Sequence, residues 1–148
     1  MTDRTDTNLD SCLAYTAADL SRTDTKAGNV LALDGLLVAA LSLSGTDLGG
    51  LSLVLAVAGA VALIGSVVLA LLVIRPHLAG GGAADRASYV FFARASPDAV
   101  AEALAEDRRP AQLKALSAIA HRKMRRLAHA CNATLIAVVA VAAAILAR

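Results

Sequence analysis

The sequence predicts an all-α integral membrane protein, with three transmembrane helices and cytoplasmic helical extensions that form a short stalk. Three observations lead there. The 148 residues are 57% hydrophobic and only 18% charged, with no Trp, far from the composition of a soluble domain. The apolar residues gather in three blocks of membrane-spanning length instead of recurring at helix or strand period along the whole chain. The basic residues cluster beside those blocks, as they do in cytoplasmic loops.

Residues 1–26 read as a cytoplasmic helix, because Leu9, Leu13, Ala17 and Leu20 repeat at helical spacing and no Pro or Gly intervenes before the first block. Asp3, Asp6, Asp10, Asp19 and Asp24 precede that block, so the basic leader of a signal peptide is missing. The first span covers 27–44. A glycine-bearing external loop over 45–50, without Lys or Arg, turns the chain into a second span over 51–74. The third span covers 127–147; each block approaches or exceeds the ~20 residues needed to cross about 30 Å of hydrocarbon. The intervening region, 75–126, holds Arg75, Arg86, Arg94, Arg108, Arg109, Lys114, Arg122, Lys123, Arg125 and Arg126, and the N-terminal segment adds Arg4, Arg22 and Lys26. The positive-inside rule places both in the cytoplasm. The chain is then a multi-pass protein of the plasma membrane with its C-terminus outside.

Within 75–126, Gly80-Gly81-Gly82 is a flexible break, and Ser88 to Phe92 is an apolar knot that fits a strand, a helix turn or an interfacial anchor. Ser96 as N-cap, Pro97 at the first position and Asp98 after it open an amphipathic helix that ends before Pro110. From there Leu113, Leu116, Ala120, Met124 and Leu127 form one stripe that runs without interruption into the third span.

Asp34 is the acidic residue inside a membrane block, roughly 12 Å deep at ~1.5 Å per residue. An ionised Asp there costs about 2.5–3.5 kcal/mol, so it needs a partner or a proton. Depth counting puts Ser66 and Asn132 within about a turn of the same level. Asp34, Ser66 and Asn132 therefore form a polar layer, serving either function or interhelical register. Ala58, Ala62 and Ser66 offer a small-residue packing face, or reflect the abundance of Ala. The basic group Arg122, Lys123, Arg125 and Arg126 anchors the chain to anionic headgroups, or binds an anionic nucleotide or lipid. Cys12 and Cys131 imply neither a disulfide nor a metal site. His77, His121 and His129 lie far apart, and no nucleophile elbow, metal-ligand spacing, P-loop or dinucleotide fingerprint is present. No catalysis and no cofactor are expected. The net charge of +2 points away from nucleic acid and leaves the lipid bilayer as the main partner.

Asp24-Thr25-Lys26-Ala27 entering a membrane helix, with Asp34 inside it, resembles the transmembrane family of Pycsar antiphage effectors, in which an acidic-x-Lys-Ala signature opens the first span. Asp24, Lys26 and Ala27 are the matching positions. The likeness continues through Arg75-Pro76, the Tyr89 to Phe92 knot and the Lys123-containing basic helix, from about residue 10 onward. It implies a membrane effector that responds to a cyclic pyrimidine nucleotide made during phage infection and impairs the membrane of the infected cell. Family members that sense a nucleotide carry a separate binding domain, for which 148 residues leave no room, so a separate nucleotide-sensing partner is implied. The chain is also similar to membrane proteins of plasmid transfer and spread in high-GC Gram-positive bacteria. That likeness implies a non-toxic scaffold that binds a transfer partner. The apolar stripes of the extensions lead us to expect a homo-oligomer in either case.

Overall fold

The computed structural model describes residues 2–43, 49–75, 91, 93–105 and 107–147. These form four helices: α1, Thr2–Leu43; α2, Gly50–Ile74; α3, Pro97–Ala105; and α4, Arg109–Leu146. The Gly80 to Gly82 break lies outside the described residues, as does the Tyr89 to Phe92 knot except for Phe91, whose carbonyl accepts the backbone N–H groups of Arg94 and Ala95.

Local chemistry fixes the helix ends. Gly50 opens α2 at φ +55°, a left-handed conformation open to glycine without steric cost. Ser96 Oγ accepts the Ala99 backbone N–H at 3.3 Å, and Pro97, which has no N–H to leave unpaired, starts α3. The side chain of Asp107 caps α4 by accepting the Arg109 N–H at 3.2 Å.

The chain divides into two compact units. One comprises Met1–Asp19 and Pro76–Ala120; the other, Leu20–Arg75 and His121–Arg148. In the first, Arg109 of α4 ties down the start of α1, donating to Asp6 at 2.7 Å and Asp10 at 3.0 Å while also holding Asp107 at 2.9 Å. Leu9, Leu13 and Thr16 of α1 and Leu113 and Leu116 of α4 are half-buried there. Ala17, expected in this stripe, is exposed.

The second unit packs three helices with a strict alternation of three- and four-residue steps. On α2 the buried residues are Ser52, Ala56, Gly59, Leu63, Ser66, Ala70 and Val73. On α4 they are Leu127, Ala130, Thr134, Ala137, Val141 and Ala144, and on α1 Thr23, Ala27 and Asp34 are buried with Val30 half-buried between them. A mean step of 3.5 residues is the seam of a left-handed supercoil, with side chains interlocking between neighbouring helices. Two expected packing faces shift accordingly. Ala58 is exposed and the close approach is made at Gly59, where an added Cβ would stand 3.0 Å from Val141 Cγ2. Met124 is 41% exposed and Lys123 occupies the seam.

The outward faces are apolar. Val54, Val57, Val61, Ile64, Val68 and Leu71 of α2 and Leu135, Ile136 and Val139 of α4 are all exposed. Only 28% of the most apolar stretch of α2 and 33% of that of α4 is buried. A soluble core helix would hide these surfaces; hydrocarbon accepts them. Among the described residues α2 and α4 are the two helices long and apolar enough to cross a membrane. The expected third span is not confirmed: Lys26, Asn29 and Asp34 lower the apolarity of α1.

Candidate functional site: a buried carboxyl and two hydroxyls

Asp34 and Ser66 are fully buried and Thr134 is 4% exposed, one from each of α1, α2 and α4. Ser66 Oγ donates to Asp34 Oδ2 at 2.7 Å, and Thr134 Oγ1 donates to Asp34 Oδ1 at 2.8 Å. The two hydroxyl oxygens are themselves 2.7 Å apart, and Thr134 Oγ1 also lies 3.2 Å from the Ala130 carbonyl of its own helix. The three side chains thus close a ring.

Asn132, placed in this layer by depth counting, is exposed. Depth alone does not choose a face: two residues along a helix turn the side chain by about 200°. Thr134 was missed, although the seven-residue steps Leu127, Thr134, Val141 place it in the seam. Apolar layers lie on either side of the ring. Ala27, Val73 and Leu127 pack together on one, supported by Val30 and Cys131, and Gly59 meets Val141 on the other.

One further polar contact set lies beyond the Ala27 layer. Lys123 Nζ donates to Asp24 Oδ1 at 2.6 Å, with the lysine side chain 12% exposed. The Thr23 hydroxyl points at Met124 Sδ at 3.7 Å. Arg126 donates to the Leu72 carbonyl at 3.3 Å, in the last turn of α2, where a cation also meets the negative end of the helix dipole. Of the signature positions, Asp24 and Lys123 pair directly, Ala27 is a core residue, and Lys26 is exposed. Of the basic group, Lys123 and Arg126 bind within the chain, whereas Arg122 and Arg125 are exposed.

Long helices with lipid-compatible outer faces and a polar ring sealed between them define the class: an all-helical membrane protein. The family model for the Pycsar effector protein domain matches residues 8–148, and the chain belongs to that family. No curated protein and no solved structure matches it. The expected family resemblance therefore holds over nearly the whole chain, and the protein is of a defence-related effector family.

Proposed function

We propose that this chain is a membrane effector of bacterial antiphage defence that impairs membrane integrity when activated, acting as a homo-oligomer in the plasma membrane. The observation that carries the reading is the Asp34–Ser66–Thr134 ring, set between apolar layers of a chain that belongs to the effector family. Intramembrane acids are costly and mark function by default. At rest the ring is satisfied within the chain and the layers beside it are apolar. Separation of the helices at this level exposes a carboxyl and two hydroxyls to incoming water, and so lowers the barrier to ions where it is otherwise highest. The protein acts through its helices and not through catalysis. Its activating signal comes by way of a separate partner that senses the nucleotide.

Expression of the chain in bacterial cells, with a potential-sensitive dye as readout, tests this. The wild type is expected to collapse the membrane potential and slow growth, and Asp34→Ala or Asp34→Asn is expected to suppress both at equal membrane abundance. Normal potential and growth with the wild type confirmed in the membrane would sink the reading.

A further inference from the structure

The boundary between polar and apolar surface falls at different levels on α2 and α4. Val73 and Leu127 pack in one layer with Ala27, and the two helices run in opposite directions through it. Arg75 and Arg125 therefore stand level, each two residues from the layer on its basic side, about 3 Å away. By the same count Leu71 is level with His129, and Val68 with Asn132. On α2 the exposed surface turns apolar at once, through Ile74, Leu71 and Val68. On α4 it stays polar for two more turns. Arg122, Arg125, His129 and Asn132 are all exposed, at steps of three and four residues, and exposed Ile136 and Val139 continue the same stripe. None of the four polar side chains has a partner among the described residues.

His129 and Asn132 thus face outward about 3 Å and 7.5 Å beyond the layer, at a depth where α2 shows only aliphatic side chains. Polar groups there need partners that lipid tails cannot give. The stripe itself has the chemistry of one partner. It presents two guanidinium groups, then an imidazole and an amide, then two aliphatic side chains. A phospholipid presents the complement in the same order inward from its headgroup: a phosphate, the oxygens of the glycerol esters, and acyl chains. Arg122 and Arg125 are three residues apart and so neighbours on the helix surface, placed to share one phosphate as forked donors. His129 and Asn132 lie one and two turns deeper than Arg125 and supply N–H donors to ester oxygens. Charge selects the headgroup. The carboxylates of α1 in this unit are committed, Asp24 to Lys123 and Asp34 to Ser66 and Thr134. The ammonium of a zwitterionic headgroup therefore finds no counter-charge, whereas an anionic headgroup meets two unpaired cations.

We infer that the outer stripe of α4 is a binding site for one anionic phospholipid, with Arg122 and Arg125 on its phosphate, His129 and Asn132 on its glycerol esters, and Ile136 and Val139 along an acyl chain. Lys123 and Arg126 take no part, because both are bound within the chain. The inference rests on the membrane placement of α4 in the proposed function. It is independent of toxicity, of assembly and of whether α1 crosses the bilayer.

Native mass spectrometry of the full chain released from detergent tests it, with phosphatidylglycerol or phosphatidylcholine added in equal amount. The wild type is expected to retain phosphatidylglycerol in preference, one per copy. Arg122→Ala and Arg125→Ala are each expected to weaken that binding roughly fivefold, as for one cation at an anionic surface, and the pair together roughly twentyfold. Asn132→Leu, which leaves every charge in place and favours insertion, is expected to weaken it roughly threefold. Arg75→Ala is the control: it removes an equally exposed cation at the same level, on a helix with no polar stripe above it, and is expected to leave binding unchanged. Weak binding of phosphatidylcholine is expected to be the same in all variants, which shows that the face is otherwise intact. Equal retention of the two lipids overturns the inference, as does a loss with Arg75→Ala equal to that with Arg125→Ala, or no response to Asn132→Leu. The dye measurement separates the two ideas. Selective lipid retention without loss of potential keeps the site and removes the effector mechanism, and loss of potential without selective retention does the reverse.

Discussion

Asp34 owes its tolerated burial to two hydroxyls, and removing them one at a time exposes how the cost is shared. Ser66→Ala leaves Asp34 Oδ2 without its 2.7 Å donor, and Thr134→Val leaves Oδ1 without its 2.8 Å donor. Each is expected to lower stability by about 1–3 kcal/mol, the penalty for leaving a buried polar group unpaired. The double variant is expected to fall short of the sum, since the two hydroxyls also touch each other; thermal unfolding in detergent measures all three. Asp24→Asn, which removes the charge facing the mostly buried Lys123, belongs to the same range of about 1–3 kcal/mol. The acidic cluster around Arg109 behaves differently because it is open to water. The Arg109 side chain, and then its backbone N–H, hold the Asp107 carboxyl below its ordinary value of 3.8. A depressed acid contributes stability that is present above its unfolded value and lost as pH falls through its folded value. The Asp107 contact at the start of α4 is therefore expected to be indifferent to pH between 5 and 8 and to loosen below about 3.8. Arg109, raised by the same partners, stays charged throughout. Hydrogen exchange over the first turn of α4, followed into acid, reads this; a change near neutral pH would contradict it.

At the scale of the helices, the sequence makes their existence plain and leaves their faces obscure. Apolar block length gives α2 and the apolar part of α4, and the Ser96-Pro97 cap gives the start of α3 to the residue. Facing is harder because a helix that is apolar all round offers no contrast between inside and outside. The choices of Asn132 over Thr134 and of Ala58 over Gly59 both fail for that reason. What the seam selects in these spans is size and hydrogen bonding. Alanine, glycine, serine and threonine predominate, interrupted by single large residues, at 3.5-residue spacing, and only that spacing, followed from one polar residue to the next, reveals the phase. Gly59 tests the account. Alanine there gains about 1 kcal/mol in helix propensity but brings its Cβ to 3.0 Å from Val141 Cγ2, an overpacking that costs about 1–3 kcal/mol. Overpacking wins narrowly, so Gly59→Ala is expected to be mildly destabilising and Gly59→Leu severely so. Val141→Ala, which removes the opposing methyl groups, is expected to rescue Gly59→Ala. Failure of that rescue would mean that the α2–α4 contact is not made at this point.

For the molecule as a whole, the directions of the helices set the topology that experiment can reach. In the second unit α1 and α4 run parallel, since Asp24 meets Lys123 and Asp34 meets Thr134, with the sequence rising on both. There α2 runs opposite, since Ser66 meets Asp34 while Val73, later in α2, meets Ala27, earlier in α1. If α1 crosses the bilayer alongside the other two, its N-terminus lies on the same side as the start of α4. The basic residues then decide which side that is. Ten Lys and Arg lie between Arg75 and Arg126, three more precede the first apolar block, and the segment from Gly45 to Gly50 has none. An asymmetry of this size orients a chain with its basic segments in the cytoplasm. Cys12, which is exposed in the structure, is therefore expected to resist an impermeant thiol reagent in intact cells and to react once the membrane is opened. A cysteine introduced by Asp47→Cys, with Cys12 and Cys131 both replaced by Ser, is expected to react in intact cells. Labelling of Cys12 from outside would invert the orientation. Failure of Asp47→Cys to label with Cys12 also protected would contradict the three-span arrangement with 45–50 outside. A mechanism that opens the membrane at the Asp34 ring needs α1 beside α2 and α4 in the bilayer, and it would fall with that arrangement.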